Sequence, residues 1–321
     1  MIKEGIFTKI YNHPMFMPTT PTRQQATQNG FELSWAPMSQ VIGEKRMGSQ
    51  LEKMKYGLRY FFSRASRSHF LKRVSTSEFG RALFEKNPSN FYVPLRSYLD
   101  NRFTVKERFD ACLQDVETAK LKFGERHAAH LLAGNSLPLL TLGQFSVHLQ
   151  MNRVSQHEGF WALALKDSNN LSIANLSFGF LNANAILIAS IQGIKDPHRN
   201  ILELNKAATK EALGLRPQNL LMASMQALCH AWHIDNLIGI DPKNQVKRKA
   251  NSHRQGFKFD YAGFWTELGA QKNFSGYWTL PTTVPHRLLA EVPSHKRSQY
   301  RKRNDLLDQL RLNTAELFSL A

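Results

Sequence analysis

The stretch Leu171-Ser172-Ile173-Ala174-Asn175-Leu176-Ser177-Phe178-Gly179-Phe180, followed after Leu181-Asn182-Ala183-Asn184 by Ala185-Ile186-Leu187-Ile188-Ala189-Ser190-Ile191-Gln192, decides the fold class. Side chains alternate at Leu176, Phe178 and Phe180, and again at Ile186, Ile188 and Ser190, with the period of two that a strand requires. Asn182-Ala183-Asn184 supplies turn chemistry, so the two runs read as an antiparallel hairpin. Two further strand candidates, 144–150 and 158–165, precede them and extend the hairpin into a meander.

Downstream the pattern changes to helices. Ile201, Leu204, Ala208 and Ala212 form one helical stripe, and Leu221, Met225, Leu228 and Trp232 form another, with Gly214-Leu215-Arg216-Pro217 between them. A short apolar strand, 236–240, follows directly; a helix feeding a strand in this way commonly adds a parallel neighbour to a sheet. A helix over 260–268 and a strand over 275–280 complete the order. Upstream, residues 1–40 are irregular and rich in Thr, Gln and Pro, and 41–134 read as a helical region. Residues 135–321 read as an α/β domain ending in a basic helix. The expected class is α+β: a helical N-terminal region, then a mixed, largely antiparallel sheet with flanking helices.

Within the helical region, Leu51, Met54, Leu58, Phe61 and Phe62 share one helix face among Lys45, Arg46, Lys53, Lys55, Arg59, Arg64 and Arg67. The plain expectation is a helix docked on the core through that stripe with a charged outer face. The alternative is a basic amphipathic helix lying on an anionic membrane.

The chain has 321 residues, room for one large domain or two ordinary ones, and 42% hydrophobic residues, enough for a packed core. Two cysteines, Cys112 and Cys229, are too few for a disulfide framework and suit a reducing compartment. The opening Met1-Ile2-Lys3-Glu4-Gly5-Ile6-Phe7 carries an early acid and no sustained apolar run, so no secretory signal is expected. No run approaches the ~20 apolar residues of a membrane-spanning helix. A cytoplasmic protein, or one peripheral to the inner membrane, is expected. The net charge of +17 favours an anionic partner: CoA phosphates, acidic lipid, an envelope precursor, or nucleic acid, for which no docking motif is present. A solvated basic surface accounts for the charge equally well.

The loop from Gly214 to Asn219 opens a helix, and helix N-termini bind phosphate through unpaired N–H groups and the helix dipole. Gly214, Arg216 and Asn219 are therefore candidate cofactor ligands, with Gln192 and Gly193 at the end of one strand and Asn244 after another. A helix–helix turn with Gly as a cap is the plain alternative. Lys247, Arg248 and Arg254 form one candidate anion site; Lys296, Arg297 and Arg301, in the run 295–303, form a second. Glu158 and Glu267 are candidate general bases, a role that needs partial burial to raise the carboxyl pKa. Tyr261 is a candidate acid or a structural aromatic. His230 and His233, like His127 and His130, have a spacing that can share a metal, but they sit with polar neighbours and no metal is expected.

The element order over 171–280 resembles the core of GNAT acetyltransferases. It differs from them in an additional helix and in lacking their Arg/Gln-x-x-Gly-x-Gly/Ala phosphate motif. This resemblance implies acyl-CoA or acyl carrier protein as donor, bound where two parallel strands splay. A second resemblance is carried by Glu158-Gly159-Phe160-Trp161-Ala162-Leu163, Leu176-Ser177-Phe178, Ile191-Gln192-Gly193, Gly214-Leu215-Arg216-Pro217, Asp260-Tyr261 with Phe264-Trp265 and Glu267-Leu268-Gly269, and Lys296-Arg297-Ser298 with Tyr300-Arg301-Lys302-Arg303. In these the chain is similar to the VirK/YbjX family. It departs from that pattern at Ala189-Ser190, Leu213 and Asp241-Pro242. The resemblance implies a link to virulence and to envelope or antimicrobial-peptide resistance in Gram-negative bacteria, with no settled activity.

Overall fold

The computed structural model describes residues 33–247, 259–284 and 288–319. An N-terminal set of helices leads into one eight-stranded sheet. The helices are α1 (Met38–Ile42), α2 (Glu44–Met47), α3 (Gln50–Phe62), α4 (Arg64–Val74), α5 (Glu78–Glu85), α6 (Tyr92–Arg96) and α7 (Val105–Leu132). Helix α7 starts at a capping box, Thr104 with Glu107, and is broken at Gly124. The strands β1 (Ser136–Leu142), β2 (Phe145–Met151), β3 (Trp161–Lys166), β4 (Ser172–Asn182) and β5 (Ala185–Gly193) form an antiparallel meander. Helices α8 (Ile201–Glu211) and α9 (Pro217–Ala231) cross over to β6 (Asn236–Gly239), which pairs parallel to β5. Helix α10 (Tyr261–Glu267) leads to β7 (Gln271–Lys272) and β8 (Trp278–Leu280), and the basic helix α11 (Arg297–Ser319) closes the described chain. The sheet order β1-β2-β3-β4-β5-β6-β8-β7 makes it mixed and largely antiparallel, as expected.

Three differences from expectation have physical causes. Strand β1 is an additional strand, hidden in the sequence by Pro138; proline is tolerated there because β1 is an edge. Glu158 does not open a strand but sits in a 3-10 turn, and the strand begins at Trp161. The stripe of α3 faces outward: Leu51, Met54, Leu58, Phe61 and Phe62 are each more than half exposed. The helix docks instead through Tyr56 and Tyr60, which stack on each other at 5.9 Å, Tyr56 also stacking on Tyr92. Two aromatic rings on the opposite face win because they fill the pocket beside Trp35, whose Nε1 donates to the Tyr56 hydroxyl at 3.0 Å.

One face of the sheet is the core. Phe123 of α7 meets Trp161 at 4.8 Å and Phe180 at 6.1 Å between ring centroids, and Trp232, just after α9, meets Phe180 at 5.4 Å and Phe318 of α11 at 5.1 Å. The other face is polar or small in successive cross-strand rows: Gln150-Ala162-Ser177-Ser190, then His148-Ala164-Asn175-Gln192. A sheet buried on a row of Ala, Ser, Asn and Gln cannot be read as two hydrophobic faces, which is why the alternation in β4 is so clean.

The joint between helices and sheet is Asp115 of α7, which is fully buried. Its carboxylate accepts four hydrogen bonds: from the Tyr98 hydroxyl, Trp161 Nε1 at 3.0 Å, the Phe180 N–H at 2.7 Å and the Phe160 N–H at 3.5 Å. Burial pushes its pKa up to about 7, against the pull of those donors. Asp115→Ala strands buried donors on three segments and is expected to lower the unfolding free energy by about 3 kcal/mol or more, measured by urea denaturation. Because the folded state holds the proton more tightly than the unfolded one, this group's contribution falls as pH rises from about 4 to about 7. That slope should be present in the native protein and absent from Asp115→Ala.

Candidate functional site

Strands β5 and β6 come apart at a defined point. The pairing of β4 with β5 steps from Ser177↔Ser190 to Phe178↔Ile188, so Ala189 is an extra residue, a β-bulge. The parallel pairing with β6 ends at the same place: Ile188↔Gly239 is its last pair, followed only by the Ile240 N–H donating to Ile188 O at 2.9 Å. Beyond it β5 continues to Gly193 without β6. Its backbone is held there by side chains. The Tyr261 hydroxyl accepts from the Ile191 N–H at 3.1 Å and donates to Ile191 O at 2.9 Å, while Gln245 Nε2 donates to Ala189 O at 3.4 Å. Tyr261 thus substitutes for a strand, and burial raises its pKa to about 12.

Glu158 reaches the neighbouring residue of β5. Its Oε2 accepts from Ser190 Oγ at 3.0 Å and pairs with Lys247 Nζ at 2.9 Å. Gly159 makes the turn possible: its φ is +105°, and a Cβ there would stand 2.0 Å from Phe178 O. Glu158 is 2% exposed. Burial raises its pKa, and Lys247 and Ser190 oppose the rise. Ser190 and Ile191 are consecutive, so Glu158 and Tyr261 flank the same two residues of β5.

A cleft of about 450 Å³ lies at the N-terminus of α9, lined by Gly214, Arg216 and Asn219, with Glu267 from α10 and Tyr300, Arg303 and Asn304 from α11. Residues 232–235 join the end of α9 to the start of β6, so the N-terminus of α9 points back toward the C-terminal end of β6. Helix α10 spans the two regions, with Tyr261 at the β5 bulge and Glu267 at the cleft, about 9 Å apart along its axis. Glu267 is exposed and reaches Arg216 at 3.6 Å. The turn into α9 holds Leu213 and Gly214 at φ +55° and +89°, a conformation that disfavours side chains. Arg303 clamps it, donating Nε at 3.0 Å and Nη2 at 2.5 Å to Leu213 O.

The remaining residues singled out from sequence are scattered. Gln192 lies on the polar sheet face with Nε2 unpartnered among the described residues, and Gly193 ends β5. Asn244 is buried in a 3-10 turn, and its O accepts from the Asn101 N–H at 2.9 Å. Lys296, Arg297 and Arg301 are exposed at the start of α11 and outside the cleft lining. Arg248 and Arg254 lie outside the described residues. Among the described residues no three His, Cys, Asp or Glu side chains gather in metal-binding geometry, and His127 Nε2 meets Leu317 O at 2.9 Å. Arg303, Tyr300, Ser190 and Gln245 join these regions without being among the candidate site residues of the sequence. The spacing Tyr300, Arg303, Asn304, Leu307 is the inward stripe of α11 and was the available signal.

Over residues 45–316 the sequence matches the family described as Protein of unknown function (DUF535). The chain belongs to this family. It is 31% identical over 268 residues to an uncharacterized protein of Haemophilus influenzae, covering 83% of this chain and 90% of the relative. It is 32% identical over 202 residues to the protein named Membrane protein LapB of Mannheimia haemolytica, covering 61% of this chain and 85% of that one. It is 25% identical over 182 residues to Uncharacterized protein YbjX of Escherichia coli, 54% of each chain. These relatives bear out the VirK/YbjX resemblance. No solved structure gives a significant match. Among the described residues of this DUF535 protein no helix is long and apolar enough to cross a membrane.

Lys247→Met removes the cation from a buried carboxylate and is expected to destabilise the fold by about 3 kcal/mol at pH 8. Glu158 then ionises only at higher pH, so the loss should shrink toward pH 5, where the carboxyl keeps its proton. Chemical denaturation at both pH values checks this; adding Glu158→Gln to Lys247→Met should restore most of the stability at pH 8.

Proposed function

We propose that this protein is an acyltransferase that takes its acyl group from acyl-CoA or acyl carrier protein and works beside an anionic membrane surface. The reading is carried by the separation of β5 from β6 at the Ala189 bulge, with a cationic cleft at the N-terminus of α9 toward the same end of the sheet. Crevices outside the carboxyl ends of strands are where open α/β sheets bind ligands, and bulges gather next to active sites. In this reading the donor's phosphates meet the N–H groups of α9 with Arg216 and Arg303. Glu158, buried with a raised pKa, takes the proton from an acceptor amine or hydroxyl as it attacks the thioester carbonyl. The carbon–sulfur bond breaks and the thiolate leaves. Tyr261 and Gln245 hold the free edge of β5, so the donor approaches beside them.

A second reading is a lipid-binding module without chemistry. It is favoured by the outward stripe of α3, where Phe61 is 73% and Phe62 75% exposed, with Lys53 and Lys55 on the same helix. The relative named Membrane protein LapB is consistent with either.

Calorimetric titration with acetyl-CoA and longer acyl-CoAs separates them. Saturable binding is expected, weakened about tenfold by Arg216→Ala. A folded sample that binds no acyl-CoA at millimolar concentration would sink the CoA version. Flotation with phosphatidylglycerol vesicles should depend on Phe61 and Phe62: binding lost in Phe61→Ser/Phe62→Ser, with acyl-CoA binding kept, supports membrane action, and unchanged flotation refutes it.

A further inference from the structure

The polar face of the sheet carries a second cleft, of about 610 Å³, within the size range of small-molecule sites. Ser136, Gln150, Lys166 and Asn175 line it, with Arg153 and Arg199 also in the lining. It shares no lining residue with the cleft at α9.

Lys166 is 6% exposed. Its ammonium donates to Ser136 Oγ at 3.1 Å and, among the described residues, enters no ion pair. Buried cations are otherwise paired, because losing hydration without a counter-charge is costly. Burial lowers its pKa, and the nearby Arg153 lowers it further. Arg199 carries its own counter-charges, Asp167 at 2.7 Å and Asp196 at 3.8 Å. Lys166 is therefore the buried charge that, among the described residues, lacks one, and it calls for an anion; the exposed Arg153, whose Nη2 donates to Gly134 O, adds a second cation beside it. Asn175 sets a second condition. It is 2% exposed, lines the cleft, and among the described residues its Oδ1 has no hydrogen-bond partner. That oxygen only accepts, so an ionised phosphate oxygen cannot satisfy it; a hydroxyl can.

We propose that this cleft binds a small phosphorylated, hydroxyl-bearing molecule, a sugar or polyol phosphate. Its phosphate sits between Lys166 and Arg153, and a hydroxyl donates to Asn175 Oδ1. The assignment is independent of the acyltransferase reading.

The test is calorimetry on the full chain with glucose 6-phosphate, inorganic phosphate and glucose as separate probes, and flotation with phosphatidylglycerol vesicles. Glucose 6-phosphate should bind at least about tenfold more tightly than either of its parts. Lys166→Met and the surface change Arg153→Ser should each weaken it about tenfold. Arg153→Ser should leave the thermal midpoint unchanged, so the result is readable even if Lys166→Met fails to fold. No binding of glucose 6-phosphate at millimolar concentration, equal affinity for inorganic phosphate, or unchanged affinity in Arg153→Ser would overturn the assignment. Vesicle binding that Arg153→Ser abolishes, with no binding of the soluble probes, would reassign the anion to a lipid headgroup and also overturn it.

Discussion

Asp115 is the constraint on which the rest of the structure depends. A fully buried carboxylate is tolerated only when its oxygens are saturated with donors, and here the donors come from separated parts of the chain. Tyr98 belongs to the N-terminal helical region, Phe160 and Trp161 open β3, and Phe180 lies in β4. Satisfying one buried carboxyl group therefore fixes the helix α7 against the middle of the sheet. The aromatic cluster of Phe123, Trp161, Phe178, Phe180 and Trp232 then packs around that joint.

The same placement sets the character of the opposite face. With the large side chains of β3 and β4 drawn to α7 and α9, the alternating positions carry Ala162, Ala164, Asn175 and Ser177. Asn175 Oδ1, Ser177 Oγ and Gln192 Nε2 are buried there without partners among the described residues. Unmet polar groups concentrated on one sheet face argue for ligand chemistry better than any isolated charge, since each is costly to leave unmade. Strand β5 serves both regions: its polar side chains lie on that face, and its backbone beyond Ala189 lies at the edge that Tyr261 and Gln245 hold.

The elements were largely legible in the sequence because each rests on local periodicity. The hairpin of β4 and β5, the stripes of α8 and α9, the short β6 and the helix α10 all follow from spacing and turn chemistry. Strand β1 escaped because Pro138 argues locally against a strand, and only its edge position removes the objection. The direction of α3 escaped because an apolar stripe states that a face is apolar, not which partner covers it; Tyr56 and Tyr60 compete for the core and win. Of the site, the turn at Gly214 and the carboxylate Glu158 were visible. Arg303, Ser190, Gln245, Lys166 and Asn175 were not, since each depends on a neighbour remote in sequence.

By itself the sequence determined the class of fold, the order of its elements and an excess of positive charge, because periodicity, turn residues and ionisable groups act over a few residues. Only the tertiary structure decided which charges are buried and paired. Lys247 is placed on Glu158, Arg303 on the turn before α9, and Lys166 in a cleft with no counter-charge among the described residues. The physical reason is that desolvation and hydrogen bonding are set by the packing around a group, and packing joins residues far apart in the chain.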